Sequence, residues 1–178
     1  MEFQRYTAPD AAALAADIVD ARAKLAAAVD KSNAAAMVDH AGDLSGMLTT
    51  ARREAEALQV LQAQVGRAES LPGEEATSWF WNAYATALQY LGRRDEAHEV
   101  FEQALALSRA GGWLRLQSFV LQHRGRCLVE LDRWDKAEAA FQEALHLRQH
   151  LNDPFQASTQ RALDALAVLR GSVERRAP

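Results

Sequence analysis

Two stretches of this chain align without a gap at an offset of forty residues, and this internal repeat limits the possible folds more than any other feature. Leu91, Arg93, Asp95, Ala97, Phe101, Ala104, Leu105 and Leu107 recur as Leu131, Arg133, Asp135, Ala137, Phe141, Ala144, Leu145 and Leu147. A worn copy, Ala51-Arg52-Arg53-Glu54-Ala55-Glu56-Ala57 followed by Leu61, stands forty residues earlier still. A unit of this size cannot bury its apolar face alone, so successive copies must stack and share one core.

The spacing inside the unit is helical. Leu91, Ala97, Phe101 and Ala104 form one stripe across a turn and the helix that follows it. The two alanines let neighbouring helices approach closely, and Phe101 fills the gap between them. Upstream, Trp81, Tyr84, Leu88 and Leu91 fall at i, i+3, i+7 and i+10, one face of a preceding helix. Gly92 supplies the turn, so each unit is a helical hairpin. Composition agrees, because straight-chain residues and alanine dominate while valine, isoleucine and threonine are scarce.

This pattern resembles the tetratricopeptide repeat. Trp81, Tyr84, Ala85, Leu88, Ala97, Phe101 and Ala104 fall on the family's signature positions, and Leu121, Gly125, Leu128, Ala137, Phe141 and Ala144 do so in the next repeat. The period of forty is longer than the family's usual one and is similar to the long-repeat subclass of bacterial regulators, peptide-pheromone receptors and the kinesin light chain. Two departures stand out: Arg124 occupies a usually apolar place, and Gly111-Gly112 provides the break that a proline usually makes. The resemblance implies an all-α, right-handed superhelical solenoid of antiparallel hairpins whose function is protein binding.

Read outward from the repeats, residues 1–178 form one such domain with eight expected helices. Residues 8–29 are a half-repeat with Thr7 and Asp10 as a capping box, and 33–67 are a degenerate repeat of helices 33–49 and 51–67. Repeats follow at 74–109 (helices 74–91 and 94–109) and 113–150 (helices 113–131 and 134–150), and a capping helix at 154–171. Asp153 is its expected N-cap and Pro154 its first position; the tail from Gly171 to Pro178 is expected to fray. Leu14, Ile18, Ala21, Leu25 and Val29, at near-heptad spacing, pack either on the adjacent helix or on a second copy in a homodimer.

Several classes are set aside by composition and pattern. Acidic and basic residues alternate, with 24 against 20 and a net charge of −4, so no basic block invites nucleic acid. The Ala-rich segment 11–29 carries Asp17, Asp20, Arg22 and Lys24, which argues against a membrane span. The opening residues lack the layout of a signal peptide, and the single Cys127 suits a reducing compartment, so a cytoplasmic location is expected.

The titratable residues offer few arrangements that carry chemistry. Glu143, His146 and His150 have spacing that suits zinc, but no fourth ligand is evident and the residues suit a solvated face. His98 and His40 are expected to be exposed. His123 and Cys127 are four apart on a helix, as a base and a nucleophile would be, yet no oxyanion-stabilising turn accompanies them, and a buried structural thiol is expected. The glycines do not form a phosphate-cradling motif. No enzyme activity, cofactor or metal is expected.

The first helix of each hairpin should line a concave face. There Trp79, Asn82, Thr86, Gln89 and Tyr90 repeat forty residues on as Phe119, Gln122, Arg126, Val129 and Glu130. Amides hydrogen-bond a peptide backbone, while Trp, Tyr and Arg anchor it. This stripe is the candidate groove for a peptide or helix of a partner protein. Asn82, Gln122 and Arg126 are expected to be exposed; Trp79 and Phe119 either face the partner or pack between hairpins. No lysine joins Asn82 and Arg126, so a lysine–asparagine carboxylate clamp is not supported.

Overall fold

The structure is a computed structural model that describes residues 2–174. Nine helices are found among the described residues: α1 (Ala11–Asp30), α2 (Ala34–Thr50), α3 (Glu54–Gln62), α4 (Val65–Glu69), α5 (Glu75–Tyr90), α6 (Arg94–Ala110), α7 (Leu114–Glu130), α8 (Trp134–His150) and α9 (Gln156–Glu174).

Their ends share one device. Ser32, Arg52, Gly92, Gly112, Asp132 and Asn152 all adopt left-handed backbone, with φ of 51°, 63°, 81°, 69°, 57° and 50°. Gly92 N–H donates to the Gln89 carbonyl at 3.0 Å and Arg93 N–H to the Leu88 carbonyl at 3.0 Å; Asp132 and Arg133 repeat this on Val129 and Leu128 at 3.1 and 2.9 Å. Such reverse turns satisfy the carbonyls that a helix end leaves open. The left-handed positions are spaced by twenty residues (32, 52, 92, 112, 132, 152), so the repeat of forty is two helix-plus-turn units. The missing place in the series is 72, a proline, whose ring holds φ near about −65°.

Around that gap the expected helix over 51–67 is interrupted. It ends at Gln62 and restarts as α4, where the Gln64 carbonyl accepts from Arg67 and Ala68 N–H, each at 3.0 Å. Gln64 is itself buried, and its side-chain oxygen takes Arg67 Nη1 at 3.1 Å.

The helices stack in two rows. α2, α5, α7 and α9 form the inner row, α3, α6 and α8 pack behind them, and α1 lies against α2. Ala97, Phe101, Ala104, Ala137, Phe141 and Ala144 are fully buried, as the stripe requires. α7 and α8 approach closely at Gly125, where an added Cβ would stand 2.5 Å from Phe141 Cε1. Arg124 fits its apolar place by pairing with Glu102 of α6. Ile18 and Ala21 are buried on the α1 stripe with Leu14 and Leu25 packed beside them, so within the chain this stripe meets its own neighbouring helix.

Local corrections have local causes. α1 begins at Ala11 rather than residue 8, because Asp10 alone caps it, accepting from Ala12 and Ala13 N–H at 2.8 and 3.0 Å; Thr7 lies outside the helix. Val29 is exposed, and Ala28 takes the inward position at the end of the stripe. Leu91 is also exposed, since the reverse turn swings it off the core stripe. Asp153 Oδ1 accepts Phe155 N–H at 2.8 Å, as an N-cap does, although α9 itself starts at Gln156. α9 continues to Glu174, so the fraying expected from Gly171 is replaced by helix that far; residues 175–178 lie outside the described ones. No described helix is long and apolar enough to cross a membrane.

Candidate functional site: the inner face of the helix stack

Every inner helix contributes one face to a common hollow of about 630 Å³. Trp79, Asn82, Thr86 and Tyr90 come from α5; Phe119, Gln122, His123 and Arg126 come from α7, forty residues on. Subtracting forty once more gives Asp43, Gly46 and Thr50 of α2, which also line it. The helical period therefore carries one row of side chains across three hairpins, and short residues on α2 make room for long ones on α5. An added Cβ on Gly42, for instance, would stand 2.9 Å from Trp79 Cδ1. Residues 5–10 and the first turns of α1 roof the hollow.

Seven of the nine sequence-derived groove residues line this space: Trp79, Asn82, Thr86, Tyr90, Phe119, Gln122 and Arg126. Gln89 and Glu130 do not. Gln89 is buried between helices with both side-chain polar atoms unpaired, and the Glu130 carboxylate is buried against Arg94 Nε (2.8 Å) and Phe3 N–H (3.0 Å). The expected exposure of Asn82, Gln122 and Arg126 is corrected: they are 2 %, 3 % and 8 % exposed, because the roof covers them. Trp79 and Phe119 meet edge-to-face with ring centroids 6.2 Å apart, and Phe119 meets Phe155 at 5.4 Å. They pack between hairpins and line the hollow at once.

The floor is cationic and rich in unused polar atoms. Arg148 reaches the hollow from outer helix α8, with its guanidinium bonded to the Phe155 carbonyl (3.2 Å) and Thr159 Oγ1, and 5.2 Å from the Phe119 ring centroid. Burial lowers it to about 10, so it stays charged at neutral pH. Among the described residues, no carboxylate pairs with Arg126 or Arg148. Asn82 Oδ1, Gln122 Nε2 and Arg126 Nε are buried without a partner. Unmade hydrogen bonds on buried groups cost about 1–3 kcal/mol each, so a ligand that completes them gains accordingly.

Arg148 was not among the sequence-derived residues. It stands at i+11 from Ala137, on the same core stripe as Phe141 and Ala144, and its counterpart Ser108 is buried. A charge on a core stripe was the available signal.

The remaining chemistry is sparse. His123 is pushed down to about 3, by burial first and then by Arg126 and Arg148, and Cys127 is pushed up to about 12, mainly by burial. His123 faces the hollow beside Thr86 Oγ1, whereas Cys127 turns toward α6, its thiol 3.4 Å from the Arg94 carbonyl. A neutral imidazole and a protonated thiol facing different ways do not form a nucleophile–base pair. Glu143 is engaged by Arg109 at 2.6 Å, and His146 and His150 are exposed on the outer row. His40 is half-buried, as is His98, contrary to the exposure expected of them. Asp39, His40 and Asp43 offer one ligand atom each within 4.8 Å of one another, although Asp43 already accepts Trp79 Nε1–H at 3.0 Å. Burial, then Asp39, raises Asp43 above its ordinary value.

An inner row of helices that presents one repeated face to a shared hollow defines a solenoid of helical hairpins. Residues 80–110, the α5–α6 hairpin, match the family model of the tetratricopeptide repeat, and the chain carries a tetratricopeptide repeat there. Repeats of this kind generally serve as scaffolds for protein–protein interaction. The fold is similar to the crystal structure of BtubC (BKLC) from P. vanneervenii, with a TM-score of 0.71 and 22 % identity over 92 % of this chain and 69 % of that one. A search of the curated proteins finds no match.

Proposed function

We propose that this chain is a non-enzymatic interaction module of the cytoplasm, bacterial-regulator-like, that holds a peptide or helix of a partner protein against its inner face. Residues 11–30 would serve as its half-repeat and 156–174 as its cap. The observation that carries the reading is the row of unpartnered polar atoms on Asn82, Gln122 and Arg126 beside the aromatic line of Trp79, Phe119 and Phe155. Aromatic anchors flanked by hydrogen-bonding groups supply most of the binding energy at protein interfaces. The test is affinity capture from the source cell with wild type and with Asn82→Ala plus Arg126→Ala, identified by mass spectrometry. Loss of a wild-type partner is expected; undiminished recovery by a variant with an unchanged circular-dichroism spectrum refutes the site. Homodimerisation through the terminal helices is the second reading, favoured by exposed Val19 on α1 and Val168 on α9. Sedimentation as a monomer at every concentration refutes it.

A further inference from the structure

Two of the residues assigned to the groove, Tyr90 and Glu130, are occupied by the chain itself. Residues 2–9 precede α1 and run across the ends of the inner helices. The Phe3 side chain is buried, 6 % exposed, and stacks on Phe141 with centroids 6.2 Å apart, while its N–H donates to Glu130 Oε1 at 3.0 Å. Two residues on, the Arg5 guanidinium lies 3.9 Å over the Tyr90 ring and is bonded to Glu54 and to the Thr49 carbonyl. Between them Gln4, with φ of 45°, turns outward to the Arg161 carbonyl at 3.1 Å. Each contact joins residues 44 to 157 positions apart, and together they touch α2, α3, α5, α7, α8 and α9.

This is how a groove reads an extended peptide. An aromatic pocket, a buried carboxylate that captures one backbone N–H, and a cation–π shelf backed by a second carboxylate recognise an aromatic residue two positions before an arginine. The Glu130 side chain is only 1 % exposed, with Arg94 on its other oxygen. Were residues 2–9 to leave, Oε1 would lose its N–H donor, a place that the backbone N–H of another extended segment can fill. The same segment supplies Arg5, Tyr6, Ala8 and Pro9 to the roof above Asn82 and Arg126.

We infer that residues 2–9 are a resident occupant of the partner groove, and that the partner is a protein with an extended segment carrying an aromatic residue two positions before an arginine, which binds by replacing them. The inference rests on the interaction reading above. A tethered segment competes at high effective concentration, so a matching peptide in trans sees only the fraction of molecules that are open.

The test uses the full chain and a fluorescein-labelled peptide copying residues 2–9, with binding read by anisotropy. An Arg5→Glu chain, which keeps the Phe3 side chain unsubstituted but sets a carboxylate against Glu54, and a Phe3→Ser/Arg5→Ser chain are both expected to release the segment. Both are expected to bind the peptide about ten-fold or more tightly than wild type, as follows if the open fraction rises from about a tenth toward one. Tyr90→Ala in the Arg5→Glu background is expected to remove that gain, and a peptide with alanine for its Phe and Arg is expected not to bind. Equal binding by wild-type and released chains, equal binding of both peptides, or no binding to either released chain overturns the inference. Because this assay reads release of residues 2–9 from the Tyr90 end of the inner face with a peptide of known sequence, whereas capture reads Asn82 and Arg126 with partners from the cell, failure of one is distinguishable from failure of the other.

Discussion

Gly125→Ala sets two effects of known size against each other at a close crossing of α7 and α8. Alanine in place of a mid-helix glycine stabilises by about 0.5–1 kcal/mol, because glycine loses more backbone freedom on folding. At this position, however, the new Cβ would lie 2.5, 2.7 and 2.9 Å from Cε1, Cδ1 and Cζ of Phe141. An ordinary contact needs roughly 1 Å more, given that carbon atoms prefer about 3.5–4.0 Å. The Phe141 ring has little freedom to retreat, since it is fully buried and stacked on Phe3. Overpacking of this kind costs about 1–3 kcal/mol, so the net effect is a loss of about 1–2 kcal/mol. Ala85, forty residues earlier, is a buried alanine at the equivalent place, so the preceding hairpin accommodates the methyl. Urea denaturation followed by far-ultraviolet circular dichroism measures the change. Phe141→Leu should relieve the clash, giving a favourable coupling of about 1 kcal/mol in a double-mutant cycle. Wild-type or greater stability in Gly125→Ala refutes the close crossing.

Three further outcomes are expected. Gly92→Ala places a Cβ at φ of 81° in open space, so it should cost about 1 kcal/mol in the same urea assay and leave packing unchanged; no loss would contradict the reverse turn. His123 is held near 3 against an ordinary value of 6.5, so unfolding takes up a proton between those limits. Stability due to its neutral form is present above about pH 6.5 and falls as pH drops toward about 3, by up to one proton's linkage, about 1.4 kcal/mol per pH unit. His123→Gln should therefore lose less stability than wild type between pH 7 and pH 5, and parallel profiles would refute the burial of a neutral imidazole. Cys127, fully buried and pushed up to about 12, should resist iodoacetamide at pH 8 in the native protein and react in urea, as read by mass; rapid native alkylation would refute its placement.

Much of the architecture was legible because it is local. Ala97, Phe101 and Ala104 lie within two turns of one helix, and their copy at Ala137, Phe141 and Ala144 fixes the hairpin period without reference to any distant residue. The inner face was legible for the same reason: adding forty to Trp79, Asn82 and Thr86 stays in register as long as each helix-plus-turn unit keeps its length. The left-handed turns were legible only at Gly92 and Gly112. At positions 32, 52, 132 and 152 the same conformation is carried by Ser, Arg, Asp and Asn, held by the helix-end hydrogen bonds rather than marked by residue type.

Sequence alone thus determined the period, the helical hairpin and the row of side chains that share a face, since each follows from spacing along a single helix. Tertiary structure decided what that face became. Residues 5–10 fold over it and bury Asn82, Gln122 and Arg126, Phe3 reaches Phe141 and Glu130, and Arg148 threads inward from the outer row. These contacts join distant parts of the chain or separate helices, where periodicity carries no signal and only the stacking of hairpins brings the partners together.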